Sequence, residues 1–170
     1  MSNTSNIDDS GNSVIVWTGT AGDLLAARDT LAGQRSLAED KARSVSLPRK
    51  LTPEERSYWI EVMLTGFAVE NLLKAFWLAR GNRMYRQGRL QKFSGVKNHD
   101  LIGIANAVGF AIKDPERKDL AMLSEIMAGR GRYPLATCPQ ITESWGSDSA
   151  STIQKLVRRL RESIRDAKKA

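Results

Sequence analysis

The sequence predicts an all-α protein, an antiparallel up-and-down bundle of four to five helices. Three observations predict it. Apolar residues recur at spacings of three and four in several separate stretches, as one face of an α-helix requires. Prolines, glycines and acidic first turns bound those stretches, the usual marks of helix ends. No alternation of apolar and polar residues between them is long enough to read as a strand. At 170 residues the chain fits one domain with a sizeable core.

In chain order, residues 1–13 are mostly Ser, Asn, Asp and Gly and read as a disordered tail, with residues 14–170 as the single helical domain. The tail lacks a basic start followed by an apolar run, so it does not read as a secretory signal. "VIVWT" (14–18) reads as a short extended piece or an arm. The first helix follows, with Leu24, Leu25, Ala27, Leu31, Leu37 and Ala38 on a patchy apolar face. Gly33 weakens its middle and Pro48 ends it.

The next helix opens at "LTPEE", with Thr52 as N-cap, Pro53 at the first position and Glu54 and Glu55 in the first turn. It is read from Pro53 to Arg80, ending at Gly81. Trp59, Met63, Gly66, Leu73 and Trp77 form one stripe, widened by Ile60, Leu64, Phe67, Leu72 and Phe76. A helix so apolar round its circumference belongs at the centre of a bundle. Glu70 lies inside the stripe, where a carboxylate is costly unless paired. Lys74, four residues on, is its local partner. The pair is either a surface pair at the edge of the stripe or a polar group held inward beside a site.

Charge is unevenly spread. The chain is +7 overall, yet residues 71–99 hold seven basic and no acidic side chains, and residues 151–170 hold seven basic and two acidic. Such asymmetry suits a polyanionic partner. Within the acid-free stretch Arg80, Arg83, Arg86, Arg89 and Lys92 recur at every third residue. Gly88 and Gly95 argue there for a broken helix or a loop. Tyr85 and Phe93 are interleaved and suited to stacking on bases. Cations with aromatics suit single-stranded nucleic acid, so this set with Tyr85 is the candidate RNA-binding surface. The alternative is a solvated basic connector.

A shorter helix is read from Asp100 to about Ile112, with Asn98 or His99 at its cap and Leu101, Ile104, Ala105 and Val108 inward. A fourth takes Asp114 as N-cap and Pro115 as first residue, with Leu120, Leu123, Ile126 and Met127 as its core face. It ends at "GRGRYP", and residues 135–150 read as loop. The last helix, Ser151 to about Lys169, places Ile153, Leu156, Val157, Leu160 and Ile164 on one side and basic residues on the rest.

No apolar run approaches the roughly 20 residues of a membrane span. The expectation is a cytoplasmic protein with no membrane contact. One cysteine, Cys138, and one histidine, His99, exclude an internal disulfide and a Cys or His metal cage within one chain. No cofactor or metal is expected. Nothing in "LATCPQIT" marks Cys138 as a nucleophile, and it reads as a packed or incidental thiol.

"GFAVENLLKAFWLARG", "NHDLIGIANAVG", "DPERKDLAMLSEIMAGRGRYP" and the closing amphipathic helix together resemble a HEPN domain over about residues 20–168. The resemblance implies a helical up-and-down bundle, often a homodimer. Many such domains are metal-independent ribonucleases in toxin–antitoxin, abortive-infection or other defence systems, and others are non-catalytic binding modules. The active ones carry an arginine followed four to six residues later by a histidine. The resemblance carries over Arg132 as the motif arginine, with Arg130 as a nearby substitute. "RGRYPLATCPQ" contains no histidine, so the motif histidine has no counterpart.

RNA cleavage through the 2′-hydroxyl needs a proton acceptor, a proton donor and a cation for the phosphate. Arginine supplies only the cation. His99 stands where a replacement base could reach Arg132 or Tyr133, at the same end of an antiparallel helix pair; otherwise it caps its helix. Tyr133 suits phosphate binding or stacking. Three functions follow: an RNA- or partner-binding dimeric module without the usual nuclease pair, a ribonuclease using His99 with Arg132, or a non-enzymatic antitoxin-like partner of another protein.

Overall fold

The computed structural model describes residues 4–43, 57–130 and 147–169. Among these, the chain is mostly helical, with six α-helices, of which the last five pack on one another, and a two-stranded hairpin that the first helix packs on. The count exceeds the four to five expected because the N-terminal segment is folded. Helix α1 (Thr4–Gly11) stands where a disordered tail is predicted. It has little apolar surface to bury; hydrogen bonds to a distant segment hold it instead.

Helix α2 (Val14–Arg43) begins at the "VIVWT" stretch, which is its first turn rather than an extended arm. The Trp17 indole N–H donates to the Gly11 carbonyl at 2.8 Å, and Val14 and Trp17 pack on the core. Gly33 does not interrupt the helix. One propensity penalty of about 1 kcal/mol is small against the packing of a long helix. Arg35 fastens α2 to the next helix through Glu61, at 2.9 and 3.1 Å, and Ser57 donates to the same carboxylate at 2.7 Å.

Helix α3 (Tyr58–Ala79) is central, touching α2 and all the later helices. The predicted start at Thr52 and Pro53 lies outside the described residues. Val62, Ala68, Val69, Leu72, Leu73 and Ala75 are its buried centre. The predicted stripe is rotated: Trp59, Met63 and Trp77 lie at the margin of the core, and Ile60 is 45% exposed. Small residues take the middle because neighbouring helices approach closely there. A side chain at Gly66 would run into Met127. In length and composition α3 also matches a membrane span (mean hydropathy 1.3), with 56% of that window buried against the rest of the protein. Core helices meet the same description.

After α3 the acid-free stretch is loop, the second of the two alternatives and not a broken helix, except for a small hairpin in which β1 (Tyr85–Arg86) runs antiparallel to β2 (Arg89–Leu90). Gln87 and Gly88 turn the corner with φ of 52° and 73°, the paired positive values that a two-residue hairpin turn needs.

Helix α4 (Leu101–Val108) is capped by Asp100, not by Asn98 or His99; its carboxylate accepts from the Gly103 N–H at 2.9 Å. It stops short of Ile112 because Gly109 takes a left-handed conformation. Leu101, Ile104, Ala105 and Val108 are buried as predicted. Helix α5 (Asp114–Glu125) is capped by Lys113, one residue before the predicted Asp114, and runs into a π-helical segment at Ile126–Arg130. Leu120, Leu123, Ile126 and Met127 are buried as predicted. Helix α6 (Ser147–Ala167) starts earlier than Ser151 and buries the predicted Ile153, Leu156, Val157, Leu160 and Ile164. One of its basic residues turns inward: Arg159 bonds the Ala111 carbonyl and the Glu116 carboxylate, tying α6 to α5.

Candidate functional site

Glu70 lies halfway along α3 and is 7% exposed. The Glu70–Lys74 pair is therefore held inward and is not a surface pair. Lys74 Nζ donates to one carboxylate oxygen at 2.5 Å, and His99 Nδ1 lies 2.8 Å from the other. His99 reaches α3 because its backbone is left-handed, with φ 63°, one residue before the α4 cap. Asp100 does the capping, which releases the His99 ring for Glu70. Phe67 stacks edge-on against the imidazole, with centroids 5.4 Å apart. The Lys74 ammonium lies 5.1 Å from the Trp17 ring centre, which connects the cluster to α2.

Burial by itself would raise the Glu70 carboxyl. The charge and hydrogen bond of Lys74 and the hydrogen bond of His99 outweigh it and hold the group below the ordinary carboxylate range. An ionised carboxylate only accepts, so Nδ1 of His99 carries the hydrogen. A carboxylate on Nδ1 is the arrangement that orients the imidazole in acid–base sites. The cluster borders a cavity of about 340 Å³, lined also by Lys92, Phe93, Val96 and Lys97. Two larger hollows, of about 530 and 560 Å³, lie along α2 and contain no histidine.

The other predicted residues divide into groups. Arg83, Arg86, Arg89 and Lys92 are exposed along the hairpin segment, as is Lys97. Arg80 is engaged elsewhere: its guanidinium donates to the Val108 carbonyl at 3.1 Å, at the end of α4, and sits over Phe76. The Tyr85 ring packs over Gly11 of α1. Phe93 is likewise occupied, edge-on to Trp77 at 5.8 Å. Arg130 ends the π-helical segment. Arg132, Tyr133 and Cys138 lie outside the described residues, so the predicted approach of His99 to Arg132 does too.

Sequence reasoning missed the Glu70–His99 pair. One signal pointed to it: a carboxylate in an apolar stripe has two oxygens to satisfy, and Lys74 serves only one. It also missed Asp8 and Asn12, which bind the hairpin. The Asp8 carboxylate accepts from the Gln87 and Gly88 N–H groups at 2.8 and 2.7 Å. The Asn12 side chain accepts from the Met84 and Tyr85 N–H groups and donates to the Tyr85 carbonyl. Among the described residues no three His, Cys, Asp or Glu side chains converge as metal ligands. No protein-family model, curated protein or solved structure matches the chain.

Proposed function

We propose that this protein is an RNA-binding helical module, a HEPN-like dimer serving a toxin–antitoxin or other defence system without the usual Arg/His nuclease spacing. One observation carries the binding reading. Arg83, Arg86, Arg89, Lys92 and Lys97 are all exposed, and among the described residues none has an ion-pair partner. Cations gathered on one segment whose own sequence has no carboxylate hold a positive field, which Asp8 at the turn offsets only in part and which phosphates neutralise with release of counterions. The order of elements supports the HEPN-like up-and-down arrangement: a central helix with Glu70 and Lys74, the short α4 and α5, then a closing amphipathic α6.

Binding of a labelled single-stranded RNA tests this, at several salt concentrations with chelator present. Five phosphate contacts give a log–log salt slope of about −3.5, and Arg86→Ala or Lys92→Ala lowers its magnitude by about 0.7. Absence of retention at low salt, or retention insensitive to salt, sinks the reading.

The carboxylate-oriented His99 favours a second reading, a metal-independent ribonuclease. There His99 takes the 2′-hydroxyl proton as the 2′-oxygen bonds to phosphorus, the P–O5′ bond breaks with a proton returned to the departing 5′-oxygen by the protonated imidazole, and a nearby cation, Arg132 in the HEPN resemblance, steadies the phosphate. In the same assay the native chain then cuts RNA in chelator and His99→Ala does not. RNA left intact by the native chain refutes it.

A further inference from the structure

The two N–H groups of the hairpin turn converge on a carboxylate. Gln87 N and Gly88 N lie 2.8 and 2.7 Å from the two oxygens of Asp8, a residue about eighty positions away in the chain. Successive N–H groups at residues of positive φ form a concave anion cradle. Arg86 and Arg89 flank it, paired directly opposite each other in register. Like charges so placed destabilise a hairpin unless an anion sits between them. Both are exposed, and neither has an ion pair among the described residues. Asp8 satisfies the backbone and leaves the two guanidinium groups unanswered.

The element that carries Asp8 is lightly held. Helix α1 packs on β1, its Ile7 is 49% exposed, and it meets the hairpin through the polar bonds of Asp8 and the adjoining Asn12 and through the Tyr85 ring over Gly11. We infer that the Gln87–Gly88 turn is a binding site for an RNA phosphate, that Asp8 occupies it as a stand-in anion, and that α1 is a displaceable strap over the hairpin. The inference rests on the RNA-binding reading and adds to it a defined phosphate contact and an internal competitor. A phosphate in the cradle meets the two N–H donors and both arginines together, which a carboxylate tethered to α1 does not.

The test uses the full chain with Asp8→Ala, and with Asp9→Ala as a control that removes the same charge from an exposed neighbour. Asp8→Ala tightens binding of a single-stranded RNA oligonucleotide about fivefold at low salt, the size of one charge-assisted contact at an exposed site. Asp9→Ala changes it less than twofold. Equal gains from both variants reduce the effect to net charge and overturn the inference, as does unchanged or weaker binding by Asp8→Ala.

The second readout is titration with inorganic phosphate, followed at the Gln87 and Gly88 amide resonances. These shift at lower phosphate in Asp8→Ala than in the native chain. If they do so while no variant binds RNA, the cradle stands and the RNA reading falls. If they shift in neither protein, the cradle itself is refuted. Where Asp8→Ala unravels the turn, Asp8→Asn keeps an acceptor oxygen without the charge, and it gives a smaller gain of the same sign or refutes the competition.

Discussion

Glu70 is a buried carboxylate in the central helix, and its two oxygens determine what must surround it. Lys74 answers one oxygen from one turn away, and that partner is visible in the sequence. His99 answers the other from 29 positions further along, and no local rule reaches so far. Removing the acid strands Lys74, whose side chain is only 14% exposed, so Glu70→Ala lowers stability by about 3 kcal/mol. His99→Ala frees one carboxylate oxygen that Lys74 still neutralises, and lowers it by about 1–2 kcal/mol. Denaturant unfolding of the two variants gives the order, and a larger loss for His99→Ala contradicts this account. The pair also sets an acid limit. Glu70 is held below its ordinary value of 4.5 in the folded state, so its stabilisation is complete above that pH and is lost as pH falls through the lower, folded-state value. Native stability therefore drops below about pH 4.5 more steeply than that of Glu70→Gln, whose curve flattens on the acid side.

At the scale of the element, local signals name the helices and tertiary partners move their ends. The core faces of α4, α5 and α6 were legible because apolar spacing reports burial directly. Their caps were shifted: Asp100 replaces His99 at α4, Lys113 replaces Asp114 at α5, and Gly109 ends α4 early. A cap is a choice among adjacent residues worth about 1 kcal/mol, which one tertiary contact overrides. The hairpin was hidden because its strands are two residues each, too short for alternation to register. Gly33 illustrates the opposite case, a weak local residue that the helix tolerates. Nothing lies within 4 Å of a Cβ added there, so Gly33→Ala stabilises the protein by about 0.5–1 kcal/mol. A thermal melt with unchanged or lower midpoint shows that the site is crowded instead.

Across the whole molecule, α2 depends on α3 for its place. Its fully buried apolar residue is Ala21, and Arg35 binds it to a Glu61 that is 6% exposed. Arg35→Ala leaves that carboxylate with Ser57 as its hydrogen-bond donor and costs about 2 kcal/mol. Hydrogen exchange detects the consequence as faster opening of α2 relative to α4 and α5. Uniform acceleration throughout the chain contradicts the local anchoring. By itself the sequence determined that this is a helical protein, which faces of its later helices are buried, that α3 is central, and that positive charge concentrates after it. These are properties of spacing and composition within a dozen or so residues. Only the tertiary structure decided that Glu70 meets His99, that Arg80 bonds the Val108 carbonyl and Tyr85 packs on Gly11, and that α1 folds onto the hairpin through Asp8 and Asn12. Each of those depends on polar groups brought together from distant positions. Hydrogen-bond partners are selected by geometry after the core has formed, and hydrophobic periodicity contains no record of them.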